Sequence, residues 1–499
     1  MIQKKDLIKK NYNLDLPTQT FTYFFISLFT IFYLFVAYTS YGFDDEFFNI
    51  QIIENNDLLK TIEYINSIDF HPPLSYVLDW IFFKIFGSWK FVRVVISLLL
   101  ITSIINFCNY LKNKKEIPNP LIFLLLIFSN PGILMWGTSL RWYSFYLIVL
   151  FWLLVIPSNK NFWFILKLPI GLLFLGYINY ITFLIFIPLI IYYYYDSYNL
   201  LIEKKKLVIF SFLISIVLYA YQLNVFIKVH LSPGSSNQFK SFKLNLIGFV
   251  VANLSNQGLF PLSFFGLLSI ISSISIFIFA IFEYSKYKNN LKNPLVFLIF
   301  LSSYFLTGLA GKYRNLILLE PFKYLTFSNL KYRKSLFILA ALFCLISANL
   351  YGTYNVILHK NTLKNDWNTP TKQVLLKTRQ INNACNNNIQ TITYSPLFNY
   401  YLKKEGYKTL NLRNQNLDKL KYEIDDHETK CFLFVKTYKG SISQDKLNDL
   451  NNFFKNSNLI LKSHYNFARD PHYLQKRKLD PSYPEFNTIL EVYNKFNLS

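Results

Sequence analysis

Long apolar runs recur between residues 20 and 352, and short polar breaks rich in lysine separate them. A helix needs about 20 mostly apolar residues to cross the hydrocarbon core of a bilayer. About eleven runs reach or approach that length by hydropathy. The pattern therefore predicts transmembrane helices at residues 20–41, 88–110, 119–135, 142–157, 162–177, 178–195, 207–229, 262–283, 294–310, 314–328 and 335–352.

The pattern changes after residue 352 to one typical of a small α/β domain. Alternating or amphipathic stretches predict a strand, a helix, a buried strand and a second helix, at residues 389–394, 397–404, 431–435 and 443–455. The sequence thus predicts a polytopic α-helical membrane domain at 1–352, with an external loop at 42–87, and an α/β domain at 353–499.

The basic residues indicate how these spans are oriented. They cluster in alternate loops, at residues 112–115, 160, 204–206, 286–292 and 331–334. Since cytoplasmic loops carry an excess of Lys and Arg, these loops and the N-terminus are expected in the cytoplasm. The first span lacks a small-residue cleavage site and is expected to stay as an anchor. An odd number of spans then places the C-terminal tail on the external side of the cell inner membrane.

Composition supports membrane insertion and argues against a nucleic-acid partner. The 499 residues are 53% hydrophobic and 16% charged, which is unlike an ordinary soluble enzyme. The net charge of +23 comes with no zinc-finger, helix-turn-helix or RNA-binding signature, and its lysines are explained by the cytoplasmic loops. The expected partner is membrane lipid, and no nucleic acid is expected.

Candidate chemistry collects in the predicted external loops. Asp44, Asp45 and Glu46 follow the first span, and His71-Pro72-Pro73-Leu74 follows about 25 residues later. Acids beside a bilayer are costly unless they are used. The cations Arg141, Lys312 and Arg314 also fall in external loops. A carboxylate base facing cations suits sugar transfer from a lipid phosphate, because cations or a metal stabilise the departing phosphate.

Two features that the sequence lacks restrict the kind of sugar donor and the class of reaction. The chain has no Walker A or Gly-x-Gly-x-x-Gly phosphate loop, which favours a lipid-linked donor over a nucleotide. A glycoside hydrolase would need a second, protonated carboxyl group beside the scissile bond.

The order of these motifs resembles the GT-C superfamily, and is similar to protein O-mannosyltransferases and the aminoarabinose transferase of lipid A modification. The resemblance covers about residues 20–350 and is carried by the acidic pair, by His71 to Leu74, by Arg141-Trp142-Tyr143, and by Lys312-Tyr313-Arg314 before Pro321. The Tyr and Arg of the last segment stand in reversed order. The resemblance implies a hexosyltransferase that moves a mannose-like sugar, with inversion, from polyprenyl phosphate to a lipid, glycan or protein.

The resemblance also implies residue roles. Asp45 would be the base, with Asp44 and Glu46 as alternatives because three acids stand in a row. Asp45 and Glu46 would hold a divalent cation such as Mg or Mn, if one takes part, and no other cofactor is expected. His71, Arg141, Tyr143, Lys312 and Arg314 would bind the donor phosphate or the substrate.

Simpler interpretations stay open for the same residues. The acids would then be solvated surface charge, His71 a structural cap of the Pro-Pro turn, and Arg141 an interfacial side chain. A lipid-linked glycan transporter or flippase, or a non-catalytic assembly factor, is the alternative function. The few charges in the spans, chiefly Lys167, Glu320 and Lys323, argue against an ion-coupled transporter.

The four cysteines divide between the two parts of the chain. Cys385 and Cys431 fall in the predicted external domain, where an oxidising compartment would allow a disulfide, although sequence leaves their separation open. Cys108 and Cys344 fall in predicted spans, where small apolar packing is the expected role.

Overall fold

The computed structural model describes residues 16–40, 44–66, 72–114, 120–156, 162–180, 182, 185–193, 205–226, 264–286, 298, 317–328, 336–361, 371–412, 431–437, 452–453, 459–467 and 488–495. The chain forms two compact units. The helical unit contains Met1–Tyr38, Arg93–Thr138 and Trp142–Thr353, and the mixed unit contains Thr39–Val92, Ser139–Arg141 and Tyr354–Ser499. The loop at 42–87 therefore belongs to the same compact unit as the C-terminal domain.

Helices make up most of the described chain. Their bounds are α1 Leu16–Thr39, α2 Asp44–Asn55, α3 Leu58–Tyr64, α4 Leu74–Phe86, α5 Trp89–Lys114, α6 Pro120–Ser129, α7 Pro131–Gly137, α8 Trp142–Leu154, α9 Phe162–Ile178, α10 (185–193), α11 Lys205–Phe226, α12 Phe264–Lys286, α13 Glu320–Ser328, α14 Leu336–Asn361, α15 Thr371–Ala384 and α16 Pro396–Lys404. A 3₁₀ turn, Ile317–Leu319, directly precedes α13.

Three of the described helices are long and apolar enough to cross a membrane, namely Thr20–Thr39, Trp89–Asn113 and Leu336–Tyr354. A bent pair of helices, α6 and α7, raises that number to four if the pair counts as one span. These helices agree with three of the predicted spans and support membrane association. The described part of the predicted span 314–328 is only the 3₁₀ turn and the nine-residue α13.

The predicted span 119–135 is broken at Asn130. The axes of α6 and α7 differ by 63°. Asn130 has extended backbone angles, and its Oδ1 accepts the Ile133 N–H at 2.9 Å, so it caps α7 with Pro131 at the first helical position. Proline lacks the N–H needed to continue α6, while an Asn cap satisfies a free amide of the new helix. The Asn-Pro pair therefore ends one helix and starts the next.

The mixed unit contains a five-stranded sheet formed by the C-terminal part of the chain. Its strands are β1 Ile389–Thr393, β2 Lys408–Asn411, β3 Cys431–Thr437, β4 Leu459–Phe467 and β5 Thr488–Lys495. The strand order is β2-β1-β3-β5-β4. The β1 strand pairs in parallel with β2 and β3, whereas β5 pairs antiparallel with β3 and β4.

One face of this sheet packs against α15 and α16. Val374 and Ile381 of α15 and Phe398 and Leu402 of α16 join a core cluster with apolar residues of β1, β3 and β5. Alternate residues of β3 belong to the two faces, as expected for a strand. The predicted strands at 389–394 and 431–435 and the predicted helix at 397–404 are confirmed. Of the predicted helix 443–455, only residues 452–453 are described, and they are helical.

Cys385 and Cys431 form a disulfide that joins the turn after α15 to the first residue of β3. The bond closes a loop with a sequence separation of 46 residues. The structure therefore forms the pairing that the sequence left open.

Candidate functional site

The acidic segment after the first helix forms the start of α2. Asp44 and Asp45 lie in its first turn, and side chains are described from Glu46 onward. Glu46 is 1% exposed, and its Oε1 accepts the backbone N–H of Leu140 at 2.5 Å, across 94 residues of sequence. A carboxylate hydrogen bond of this kind is about twice as strong as one between neutral groups. It holds the segment around Leu140 against α2.

Asn49, one helical turn later, binds the same segment at two points. Its Nδ2 donates to the Leu140 carbonyl at 3.4 Å, and its Oδ1 accepts from Arg141 Nη1 at 3.1 Å. Residues three apart lie on one face of a helix, so Glu46 and Asn49 together hold both polar groups of the Leu140 backbone. Arg141 is 8% exposed and lies at this face.

The mixed unit thus brings together two motifs that lie far apart in the sequence. The acidic turn of α2 and the Arg141 segment, Ser139–Arg141, belong to one compact unit. A buried guanidinium near an acid-bearing helix start could bind an anionic group such as a phosphate, for which its forked donors are suited. The backbone of Asp45 lies next to that of Glu46, the residue that anchors the segment.

The other acids of this region have different electrostatic surroundings. Glu54 accepts a hydrogen bond from Trp89 Nε1 at 2.6 Å. Burial raises the pKa of Glu54, while Trp89 and the nearby charge of Lys404 act in the opposite direction. Asp57 caps α3 by accepting the Lys60 N–H at 2.8 Å, and that bond lowers the Asp57 pKa. These two carboxylates have local structural partners.

The remaining predicted site residues are placed only in part. Tyr143 lies at the start of α8 in the helical unit, buried, with its ring 5.0 Å from Trp136 and 3.9 Å from Trp142. His71, Lys312 and Arg314 lie outside the described residues. Within the described part of the chain, no group of three or more His, Cys, Asp and Glu side chains could hold a metal ion. The metal hypothesis for Asp45 and Glu46 therefore stays a prediction.

The helical unit contains a buried polar cluster that motif reasoning missed. Glu320 and Lys323 of α13 form an ion pair at 2.7 Å, and the two side chains are 5% and 2% exposed. Asn130 Nδ2, at the break between α6 and α7, lies 3.0 Å from Glu320 Oε2 and 2.7 Å from the Tyr324 hydroxyl oxygen.

A third helix contributes to the same cluster. Asn349 of α14 lies with its Nδ2 at 3.4 Å from the Tyr324 hydroxyl and 3.4 Å from Ser129 Oγ. Thr353, one turn further along α14, donates from Oγ1 to the Ser129 carbonyl at 2.6 Å. The cluster thus joins α6, α13 and α14 through polar side chains. The sequence signal for it was the Glu320–Lys323 spacing of three residues inside an apolar stretch, together with Asn130-Pro131.

No protein-family model matches the chain, and comparisons with curated proteins and with solved structures found no match either.

Proposed function

We propose that the protein is an integral membrane glycosyltransferase that moves a sugar from a polyprenyl-phosphate donor to an acceptor hydroxyl, with inversion. The observation that carries this function is the attachment of the Arg141 segment to the acid-bearing helix α2 by Glu46 and Asn49. It supports a site in which a base and a phosphate-binding cation lie close together. The motif order that resembles the GT-C superfamily supports the same reaction.

The proposed reaction assigns one role to each group. Asp45 takes the proton of the acceptor hydroxyl as the oxygen attacks the anomeric carbon, and Asp44 is the alternative base. The bond from that carbon to the phosphate oxygen breaks, and its electron pair stays on the lipid phosphate. Arg141 stabilises the negative charge that develops there, together with His71, Lys312 and Arg314. A divalent cation, which Asp45 and Glu46 would hold, would stabilise the same developing charge.

Glu46 has a different role in this reaction from its acidic neighbours. It is buried and its carboxylate accepts the Leu140 N–H, which suits a positioning residue better than a base. Its contribution is to hold Arg141 near α2.

The proposed orientation follows the positive-inside tendency. Eleven spans with a cytoplasmic N-terminus place the α2 region and the C-terminal domain on the external face of the inner membrane, where a polyprenyl-phosphate sugar is accessible and nucleotide donors are not expected. The basic residues at 112–115 and 204–206 support this orientation.

A transfer assay on the membrane-reconstituted full chain tests the function. It measures transfer from synthetic polyprenyl-phosphate mannose and related donors, in wild type and in Asp45→Asn. Loss of a general base costs about 10²- to 10⁴-fold in rate, and donor binding should be retained. Glu63→Gln is the matched control, because Glu63 is an exposed acid on α3 of the same loop. Unchanged activity in Asp45→Asn would move the base to Asp44, and no transfer from any donor by folded wild type would overturn the function.

Lipid-linked glycan transport is the second candidate, and the buried Glu320–Lys323 pair beside a broken helix favours it. Transporters place ionisable groups and interrupted helices inside the membrane. A flux assay in liposomes separates the two functions. Transport requires that Glu320→Gln, in protein shown to be folded, abolishes flux while Asp45→Asn leaves it unchanged.

A further inference from the structure

Helix α2 contacts the C-terminal domain on a side adjacent to the one that holds Arg141. The ring of Phe47 lies 4.9 Å from that of Tyr400 and 5.1 Å from that of Tyr401, both on α16. One turn further on, Gln51 Nε2 donates to the Pro396 carbonyl at 3.1 Å. Phe47 is 2% exposed. The first turn of α2 thus contacts two segments at once.

The spacing of these contacts follows helical geometry. Phe47 and Gln51 are four residues apart and share one side of α2, while Glu46 and Asn49 are three apart and share the neighbouring side. The two anchoring pairs begin at Glu46 and Phe47, one and two residues after Asp45, so a change in the position of α2 moves Asp44 and Asp45 with it.

Helix α2 depends on this packing for its stability. It has 12 residues, and isolated helices shorter than about 12 to 15 residues are marginal in water. Its acidic first turn suits the positive end of the helix dipole, but each such charge contributes only about 0.3 to 1 kcal/mol. Tertiary contacts, including those with α16, must therefore hold it.

Helix α16 is itself firmly anchored. Ser395 caps its N-terminus by accepting the Phe398 N–H at 3.3 Å, and Pro396 follows at the first helical position. Phe398 and Leu402 are fully buried in the sheet core. Helix α16 therefore presents Tyr400 and the Pro396 carbonyl from a rigid position on the sheet.

We infer that α16 of the C-terminal domain is a positioning element for the acidic turn of α2, and that Phe47 and Gln51 are positioning residues for the transfer reaction. This role rests on the proposed function and assigns the C-terminal domain a part in catalysis through α2. A misplacement of about 1 Å at a reacting group can cost about 10²-fold in rate. Loss of the Phe47 contact should therefore lower kcat, while the donor KM changes little.

The test compares Phe47→Ala with Phe48→Ala in the reconstituted full chain. Phe48 is the neighbouring residue on α2 and packs against the cluster of Ile52, Ile65 and Tyr76. We expect kcat to fall about 10- to 100-fold in Phe47→Ala, with the donor KM within about threefold. Phe47→Leu, which keeps most of the apolar volume, should recover most of kcat.

A second variant removes the contact between Phe47 and Tyr400 by a change in α16. Tyr400→Ala leaves α2 unchanged in sequence and should reproduce the loss of kcat. Tyr400 is chosen because Tyr401 also packs against the sheet core. Hydrogen exchange of the α2 amides gives a readout that is independent of activity, and protection should fall further in Phe47→Ala and Tyr400→Ala than in Phe48→Ala.

The outcomes distinguish failure of the positioning role from failure of the proposed function. Full kcat in Tyr400→Ala and Phe47→Ala, with wild-type transfer present, would overturn the positioning role and leave the proposed function standing. An equal loss in Phe48→Ala would also overturn it, because the effect would then be general to α2 packing. Absence of transfer by the wild type would overturn the proposed function and the positioning role that rests on it.

Discussion

Arg141 donates a hydrogen bond from Nη1 to Asn49 Oδ1 at 3.1 Å, although 92 residues separate the two in sequence. Asn49 also binds the Leu140 carbonyl, while Glu46 binds the Leu140 N–H. Three hydrogen bonds from one face of α2 thus hold a three-residue segment of the chain. The Arg141 guanidinium is therefore positioned by its own bond to Asn49 and by the bonds that hold the Leu140 backbone.

Substitutions at Glu46 should separate charge from hydrogen bonding. Glu46→Gln keeps an oxygen that accepts the Leu140 N–H, whereas Glu46→Ala leaves that buried N–H without its carboxylate. We expect Glu46→Gln to retain most transfer activity and Glu46→Ala to lose at least about tenfold, which corresponds to about 1.4 kcal/mol. A transfer assay on both variants checks this. Equal losses in both would indicate that the charge of Glu46 takes part in the chemistry.

Removing the Asn49 amide should weaken the attachment of Arg141. Asn49→Ala removes one acceptor of the guanidinium and one donor to Leu140, and loss of a buried partner costs about 1 to 3 kcal/mol. Asn55→Ala is the control, because the exposed Asn55 amide bonds only locally to the Gln51 carbonyl. Thermal unfolding in detergent should show a lower midpoint for Asn49→Ala and a near-wild-type midpoint for Asn55→Ala. Matching midpoints would contradict the role of Asn49.

The buried Glu320–Lys323 pair should show strong coupling in a double-mutant cycle. Each single substitution, Glu320→Gln or Lys323→Met, should cost about 3 to 5 kcal/mol because it leaves its partner buried and uncompensated. The double substitution should cost less than the sum of the two singles. Unfolding free energies of the four proteins in detergent measure the coupling. Additive costs would show that the two side chains do not interact in the folded protein.

The cap of α3 should depend on pH through Asp57. The hydrogen bond from Lys60 lowers the Asp57 pKa, so its stabilisation is present above the unfolded pKa of about 4 and is lost as pH falls through the lower folded value. Hydrogen-exchange protection of the Lys60 amide, corrected for intrinsic rate, should fall in that acidic range. In Asp57→Asn, which keeps a capping oxygen without the charge, protection should be flat across the same range. A parallel fall in the variant would assign the effect to another group.

The disulfide should be detectable by mass and by stability. The denatured, unreduced full chain should take up two alkyl groups, at Cys108 and Cys344, and four after reduction. A loop of 46 residues predicts about 4 kcal/mol of stabilisation from the chain-entropy relation. Cys385→Ser with Cys431→Ser should therefore lower the unfolding midpoint of the full chain. Four alkylations before reduction would show that the bond is absent.

The C-terminal domain shows how well local patterns predict local structure. Alternation at 389–394 and the apolar run at 431–435 predicted β1 and β3, and the amphipathic spacing at 397–404 predicted α16. Each of these patterns reports burial within a few residues along the chain. These local patterns did not predict the strand order β2-β1-β3-β5-β4, because pairing joins strands that are distant in sequence.

In the helical unit, averaging hydropathy over a window hid the break between α6 and α7. The window at 119–135 predicted one span, yet Asn130 and Pro131 break it into α6 and α7 at 63°. Polar side chains at single positions contribute little to a window of about 19 residues. Their effect depends on whether a partner such as Glu320 lies close enough to hold them.

The sequence alone determined the membrane character of the chain, because the length and apolarity of a run decide whether a helix can cross a bilayer. It also determined the identity of the candidate acids and cations, which are chemical properties of single residues. Only the tertiary structure decided that Glu46 holds the Leu140 segment, that Asn130 meets Glu320, and that Phe47 contacts α16. These contacts join residues 94, 190 and more than 300 positions apart, and no local pattern specifies which distant segments pack together.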